Sequence, residues 1–212
     1  MAVPAGRCVT LASADAAAAD LGFPVALKAV STDLPHKTEA GAVILGLADR
    51  EAVETAAQAM VARLAAARPA HRIERLLVEA MAPRPVAELI VGIDRDPHFG
   101  PVLAIGAGGV FAELLGDVAT LLLPAYADDV RTALLGLKVA ALLAGFRGGP
   151  PGDIDAAVAA IVAIGEAALA TPELLELDVN PLFVLPRSQG VIAVDALLVM
   201  AEDRSGTGEN FR

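Results

Sequence analysis

The pattern of apolar and polar positions divides most of the chain into helix-like and strand-like segments that alternate along the sequence. In REAVETAAQAMVARLAAA, Val53, Ala57, Met60 and Leu64 recur at helical spacing, which predicts an amphipathic helix beginning after Asp49. Short apolar runs bounded by Gly, Pro or Asp predict strands. The predicted strands are PVALKAV, AVILGL, RLLVEAM, VAELIVGI and ELDVNPLFVL, and further predicted helices are ADAAAADL, IDAAVAAIVAIGEAALA and a segment beginning at Asp128. This mixture predicts an α+β (α/β) fold.

Candidate caps and turns mark where several of these elements begin and end. Ser13 is a candidate N-cap for the first helix, which Gly22 would stop. Asp153 is the candidate start of the last helix. The turn PRSQG separates ELDVNPLFVL from GVIAVDALLV, which predicts a hairpin with one return strand.

The breaker APRP divides the chain into two predicted lobes. A smaller lobe over residues 1–80 carries Lys28 and His36, and a larger lobe over residues 81–200 carries most of the acidic candidates. The polar tail, residues 201–212, is expected to fray. Ligands favour clefts at such lobe boundaries.

Composition narrows the class of protein. The 212 residues are 56% apolar but only 3% aromatic, so the core must consist of Ala, Val, Leu and Ile. Charges, Gly and Pro interrupt the longest apolar stretches, so we expect a soluble protein without a spanning helix. The N-terminus lacks the pattern of a signal peptide. Cys8 is the single cysteine; we expect it to be a small apolar filler, and the absence of an internal disulfide fits a cytoplasmic location.

The net charge of −10 argues against general nucleic-acid binding, which needs basic patches. It leaves room for an anionic ligand, because local lysines and backbone N–H groups can outweigh a diffuse negative field.

Three charged residues interrupt predicted strands. Lys28 lies in the middle of PVALKAV, where it either faces an anion or lies on an exposed strand face. Glu79 and Glu88 interrupt RLLVEAM and VAELIVGI in the same way. Carboxylates near a hinge can accept hydrogen bonds from an amino group and from sugar hydroxyls. Solvated strand faces are the alternative for both.

A second group of candidates lies near the C-terminal end. Asp178 and Asn180 are two residues apart on one strand, and Asp195 lies in the return segment, so the predicted hairpin would bring Asn180 and Asp195 together. Hard oxygen ligands completed by phosphate oxygens and water suit Mg²⁺ at nucleotide sites. A salt bridge is the other way to satisfy Asp195.

Two loops could bind an anion, and a third contains a histidine beside a lysine. Backbone N–H groups of the glycines in GAGGVF could face an anion. Arg147 in GFRGGPPGD could hold a phosphate or order its loop. His36 and Lys37 in LPHKTEAG belong either to an ordinary turn or to a reactive loop.

Taken together, these segments resemble a known family. GFPVALKAVSTDLPHKTEAGAV, VAELIVGIDRDPHFGPVLAIGAGGVFAELLGDV, GFRGGPPGDIDAAV and ELDVNPLFVLPRSQGVIAVDA look like the ATP-grasp domain, or β subunit, of ADP-forming acyl-CoA synthetases of the acetate–CoA ligase type. The similarity runs from about Val3 to about Val199, in the family's order. It implies an ATP-grasp fold that holds ATP or ADP and Mg²⁺ in a cleft between two lobes.

The resemblance also implies the activity, an acid–thiol ligase reaction. Acyl-CoA, ADP and phosphate would be converted reversibly to acid, CoA and ATP, with a phosphohistidine carrying the phosphoryl group to the nucleotide. The CoA-binding steps would belong to a partner α subunit or to fused domains, so we expect a hetero- or homo-oligomer. The acyl group, the choice of ATP or GTP and the direction of flux are not specified by the sequence.

The resemblance assigns roles to individual residues. His36 and Lys37 match the family's His-Lys-Thr motif, whose histidine would relay phosphate, and Lys28 matches the strand lysine at the nucleotide phosphates. The candidate nucleotide-binding residues are Lys28, Glu79 and Met81 of the adenine-holding hinge, Glu88 on the ribose side, Gly108, Gly109 and Arg147. Asn180 and Asp195 match the Mg²⁺ ligands, and Asp178 is a third candidate.

The chain also departs from the family pattern. Ala80 stands where an acidic residue is frequent, Ala42 replaces a frequent glycine, and Gly116 replaces a frequent lysine. The helix that normally precedes the first strand is missing, which is expected of an excised domain or a shortened subunit. These departures leave room for an alternative, a regulatory or scaffold ATP-grasp domain of a protein acetyltransferase. A different ATP-dependent carboxylate ligase is a third option, against which the His-Lys-Thr loop argues.

Overall fold

The computed structural model describes residues 1–31, 41–67, 73, 75–109 and 116–201. The chain divides into two compact units. The N-terminal unit is Val3–Pro83, and the C-terminal unit is Arg84–Arg212 together with Met1–Ala2. Sequence analysis placed the division after residue 80.

The described part of the N-terminal unit is a four-stranded sheet with two helices packed on it. Its strands are β1 (Gly6–Val9), β2 (Val25–Val30), β3 (Val43–Leu47) and β4 (Arg75–Ala80), and its helices are α1 (Ala14–Leu21) and α2 (Arg50–Ala67). The sheet order is β1-β4-β2-β3 with antiparallel neighbours. Val53, Ala57, Met60 and Leu64 lie in the core, as their spacing predicts.

Three residues were predicted to begin or end the helices of this unit, and the structure confirms two of them. The Asp49 carboxylate accepts a hydrogen bond from the Ala52 N–H at 2.8 Å, which starts α2. Gly22, with φ of 85°, ends α1. The prediction that Ser13 caps α1 is wrong, because its side chain makes no capping hydrogen bond. Its hydroxyl lies 3.3 Å from that of Thr10 instead.

Cys8 does not fill the core as expected. It lies on β1, an edge strand of the sheet, and is exposed. The sequence analysis predicted no strand at residues 6–9, so it predicted neither the edge position nor the exposure.

Within its described residues, the C-terminal unit is a six-stranded antiparallel sheet with three helices. Its strands are β5 (Ala87–Asp96), β6 (Gly100–Ala107), β7 (Val118–Leu122), β8 (Leu174–Val184), β9 (Val191–Ala193) and β10 (Ala196–Met200), and its helices are α3 (Ala127–Gly136), α4 (Ala140–Leu143) and α5 (Ile154–Ala170). The sheet order is β10-β8-β5-β6-β7, with β9 paired to β8. Alternate residues of β5, such as Val91, lie in a core that also contains residues of α5, such as Ile161.

The helices of this unit begin close to the predicted positions. Asp153 caps α5 as predicted, accepting hydrogen bonds from the N–H groups of Ala156 at 3.2 Å and Gly190 at 2.8 Å. Helix α3 begins one residue before Asp128, and it is Asp129 whose carboxylate accepts the Tyr126 N–H. No helix in the described part of the chain is long and apolar enough to cross a membrane.

The prediction of one continuous return strand is wrong, because two short strands, β9 and β10, pair with β8 in its place. β9 ends at Ala193 and β10 begins at Ala196. At the interruption the Val194 N–H donates to the Pro181 carbonyl at 3.0 Å, and the Asn180 N–H donates to the Asp195 carbonyl at 3.1 Å. The Asn180–Pro181 peptide bond is cis.

Candidate functional site

Lys28 forms a buried ion pair with Glu79. Strand alternation puts Val25 and Leu27 in the core and Lys28 on the other face of β2, as predicted. Glu79 lies on the adjacent strand β4, directly opposite Ala26. The Lys28 Nζ and Glu79 Oε2 atoms are 2.6 Å apart, and the two residues are only 4% and 8% exposed. Lys28 is therefore not on an exposed strand face, and the residue predicted at the adenine hinge contacts it.

The segment after Glu79 uses its backbone N–H groups within the sheet. The Ala80 N–H donates to the Ala5 carbonyl at 2.9 Å, and the Met81 N–H donates to the Pro24 carbonyl at 3.3 Å. Met81 is 38% exposed. The two N–H groups are already bonded within the protein, so Met81 would meet a ligand through its side chain or its carbonyl.

Two departures from the family pattern have simple structural explanations. Ala42 is fully buried in the core of the N-terminal unit, and its carbonyl accepts the Ala29 N–H at 2.8 Å. Its methyl group therefore packs in the core, where a glycine would have no side chain. Gly116 has φ of 52°, a conformation that glycine adopts more readily than lysine. The predicted residues His36 and Lys37 lie outside the described residues.

Glu88 lies against the predicted glycine pair. The Gly108 N–H donates to the Glu88 carbonyl at 2.7 Å. Gly109 has φ of 72°, and a Cβ atom there would lie 2.6 Å from Glu88 Oε2. The structure thus brings Glu88, Gly108 and Gly109 together. The expectation that Gly108 offers its N–H to an anion is wrong, because that N–H is bonded within the protein.

Asn180 and Asp195 meet where the return strand is interrupted. Their backbones are joined by the Asn180 N–H to Asp195 carbonyl bond at 3.1 Å, so the expected approach is present. Asp195 Oδ1 accepts the Ala196 N–H at 3.0 Å. Asp178 lies two residues earlier on β8, opposite Gly92 of β5.

The donor set at this interruption fits Mg²⁺. It offers an amide oxygen and a carboxylate, which are hard oxygen ligands. Within the described ranges no group of three or more Asp, Glu, His or Cys side chains is arranged to hold a metal. Such a site would therefore need phosphate oxygens and water to complete it, which is how Mg²⁺ is usually bound at nucleotide sites.

Arg147 lies apart from these residues in the chain, in a 3-10 turn at Phe146–Gly148. It has a left-handed backbone conformation, with φ of 52°. Its guanidinium carbon lies 5.2 Å from the centre of the Phe146 ring. This contact holds the exposed side chain beside its own loop, so loop ordering is the one predicted role with a visible contact.

One residue at the site was missed by the sequence analysis. Gly6 of β1 lies directly opposite Glu79, and a Cβ atom there would lie 2.8 Å from Glu79 Cγ. Gly6 is the first residue of the strand GRCV, and this glycine was the available signal, because a strand glycine often marks a close approach.

Comparison with known proteins places the chain in a family. A family model described as an ATP-grasp domain matches residues 1–200. The β subunit of acetate–CoA ligase [ADP-forming] I from Pyrococcus furiosus is 35% identical over 181 residues, covering 85% of this chain and 77% of that subunit. Trans-feruloyl-CoA synthase from an unknown prokaryotic organism is 38% identical over 201 residues, covering 94% of this chain but only 28% of the synthase.

A solved structure gives the same result. The dinucleotide forming acetyl-coenzyme A synthetase 1 of Ca. Korarchaeum cryptofilum, in complex with coenzyme A, Ca-AMPCP and HgCl+, superposes with a TM-score of 0.87 at 35% identity. The match covers 94% of this chain and 86% of that chain. The fold is the α+β ATP-grasp fold, as predicted. The chain belongs to the ATP-grasp domain family, in the group that includes the β subunits of ADP-forming acetate–CoA ligases.

Proposed function

We propose that this chain is the nucleotide-binding part of an ADP-forming acyl-CoA synthetase. The observation that carries the proposal is the main-chain pairing of Asn180 with Asp195 at the strand interruption, which brings together two residues whose side chains carry hard oxygen ligands. The similarity to a synthetase solved with coenzyme A and a nucleotide analogue supports the same reading. The substrates would be ADP and a phosphoryl donor in one direction and ATP in the other.

The chain's own residues would bind and orient the nucleotide. Lys28 would contact its phosphates, and Glu88, positioned by Gly108 and Gly109, would accept hydrogen bonds from the ribose hydroxyls. Asn180 and Asp195 would hold Mg²⁺, with Asp178 as a further candidate. When bound, the ion would neutralise charge on the phosphate oxygens, which is the main requirement of phosphoryl transfer.

His36 would carry the phosphoryl group, with Lys37 beside it. His36 would first accept the phosphoryl group from the phosphohistidine of a partner, whose P–N bond would break with its electron pair returning to that imidazole. An oxygen of the ADP β-phosphate would then attack the phosphorus of phosphorylated His36. The P–N bond would break, its electron pair would return to the imidazole nitrogen, and the new P–O bond would complete ATP. A neutral imidazole is suited to both directions near physiological pH.

The remaining steps would need a partner. The chain spans 28% of the synthase and 77% of the β subunit described above. Another structure of the Korarchaeum synthetase, at 34% identity and a TM-score of 0.77, has its phosphohistidine segment pointing towards the nucleotide binding site. We infer that an α subunit, or fused domains, would supply such a segment and the CoA chemistry to this chain.

Calorimetric titration with Mg-ADP and Mg-ATP tests the binding function. The folded chain should bind both, and Asp195→Asn should raise the Mg²⁺ concentration needed for ADP binding at least about tenfold. Asp155→Asn is the charge-matched control, because that side chain is 86% exposed on α5 and should change nothing. A folded chain that binds neither nucleotide would refute the proposal.

The relay role needs the assembled enzyme. His36→Asn should abolish ATP formation from acyl-CoA, ADP and phosphate while ADP still binds. Unchanged turnover in that variant would remove the relay role. Nucleotide binding without any ATP formation by the wild-type assembly would instead favour the regulatory ATP-grasp domain.

A further inference from the structure

The ammonium group of Lys28 has a carboxylate neighbour before any ligand arrives. Its Nζ atom lies 2.6 Å from Glu79 Oε2, and the two side chains are 5% and 11% exposed. Burial weakens screening by solvent, so each charge interacts strongly with its partner. A phosphate that reaches Lys28 therefore meets a lysine whose charge is already balanced.

Three neighbouring strands fix the position of Glu79. The carboxylate-bearing residue lies on β4, opposite Gly6 of β1 on one side and Ala26 of β2 on the other. A Cβ atom on Gly6 would lie 2.8 Å from Glu79 Cγ and 3.2 Å from the Val78 carbonyl oxygen. The missing side chain of Gly6 gives the Glu79 side chain the space it occupies.

We propose that Glu79 is the resident counter-ion of Lys28 and sets the affinity for nucleotide phosphates, instead of recognising the base. Lysine has three N–H donors, so Lys28 can contact a carboxylate and a phosphate together. The two anions repel each other, however, and Glu79 thereby opposes phosphate binding. In the empty protein the same carboxylate removes the cost of a buried, uncompensated ammonium. This inference rests on the proposed function, because it takes the anion at Lys28 to be a nucleotide phosphate.

The proposal predicts opposite effects of Glu79→Gln on stability and on affinity. Glutamine keeps the size and an acceptor oxygen but removes the charge. The ligand-free protein loses the negative charge of Glu79 beside Lys28 and should melt at a lower temperature. The complex retains the negative phosphate, so binding should become tighter, by about threefold or more for ADP. Affinity for adenosine, which has no phosphate, should not change.

A double-mutant cycle with Lys28→Met provides the decisive measurement. Dissociation constants for ADP, AMP, adenosine and GDP would be measured by calorimetry for the wild type, Glu79→Gln, Lys28→Met and the double variant. The gain from Glu79→Gln should vanish when Lys28 is methionine, because the coupling requires both charges. The ratio of ADP to GDP affinity should be the same with and without Glu79.

The alternatives give different results. A contact between Glu79 and the base would make Glu79→Gln change adenosine affinity and the ADP to GDP ratio, and this would overturn the inference. An equal effect of Glu79→Gln with and without Lys28 would overturn it as well. In both cases the wild type still binds ADP, so the proposed function survives. If the wild type binds no nucleotide, both proposals fail.

Two further variants keep the test usable if Glu79→Gln does not fold. Glu79→Asp keeps the charge and is the conservative control, expected to retain most of the thermal stability and to leave the ADP to GDP ratio unchanged. Gly6→Ala displaces Glu79 Cγ without altering any charge, and it should tighten ADP binding in the same direction as Glu79→Gln. Weaker ADP binding by Gly6→Ala, with adenosine binding weakened equally, would contradict the proposal.

Discussion

Replacing Arg95 by methionine should destabilise the C-terminal unit, because this side chain joins three backbone carbonyls at one end of α5. Its Nε donates to the Leu174 carbonyl at 2.5 Å, and its Nη2 donates to those of Thr171 at 3.0 Å and Ala168 at 3.2 Å. The last carbonyls of a helix have no partner within the helix. Arg95, on β5, supplies one partner for the end of α5 and another for the start of β8.

The magnitude follows from these contacts. A hydrogen bond from a charged donor contributes about 1.5–3 kcal/mol when buried. Arg95 is only partly buried and its Nη2 is shared between two carbonyls, so we take roughly half of that for each of its two donor groups, Nε and Nη2. A cation at a helix C-terminus adds about 0.3–1 kcal/mol. The free energy of unfolding should therefore fall by about 2–4 kcal/mol, which lowers the urea midpoint by about 1–2 M.

Urea unfolding followed by circular dichroism and by Tyr126 fluorescence measures this loss. Tyr126 is the single tyrosine and the chain has no tryptophan, so its signal reports on the C-terminal unit. Arg131→Met is the control, because Arg131 contacts Asp155 at the other end of α5 through side chains that are 40% and 86% exposed. Such a pair is worth less than about 1 kcal/mol. Equal losses for the two variants would refute the capping role of Arg95.

Two further substitutions test the N-cap of α5 and the position of the Glu88 carboxylate. Asp153→Ala removes the acceptor for two backbone N–H groups and should cost about 1–3 kcal/mol in urea unfolding, whereas an unchanged midpoint would show that water replaces the carboxylate. Gly109→Ala should weaken ADP binding about tenfold, because its Cβ would displace the Glu88 carboxylate. Gly100→Ala shares the positive φ without a neighbour within 4 Å, and equal weakening by both would attribute the effect to backbone strain.

Features set by local sequence were predictable. Asp49 and Asp153 cap their helices because a short acidic side chain reaches N–H groups only three residues ahead. The core face of α2 follows from helical spacing alone. The approach of Asn180 to Asp195 was also predictable, because a hairpin brings residues on either side of its turn together.

Features that depend on pairing between distant segments were not predictable. Strand alternation places Lys28 on one face of β2, but its partner Glu79 follows from the register of β2 with β4 across the intervening helix. The hydrogen bond from the Gly108 N–H to the Glu88 carbonyl also depends on the pairing of distant segments. The sequence alone therefore did not show that this N–H is already bonded within the protein. Strand β5 continues through Arg95 in its pairing with β6, and the acceptors of that side chain lie on distant segments of the chain.

The ion pair of Lys28 and Glu79 also bears on how a chain of net charge −10 would bind an anion. Exposed charges more than about 8–10 Å away are largely screened, so the diffuse negative field matters less than the groups in contact with the phosphates. Glu79 cancels much of the attraction of Lys28, and under the proposed function a metal held by Asn180 and Asp195 would supply the missing positive charge. If one nucleotide contacts both groups, as the proposed function requires, the effects of metal and carboxylate would be coupled. Omitting Mg²⁺ should weaken ADP binding more in the wild type than in Glu79→Gln, and an equal loss in both would separate the two effects.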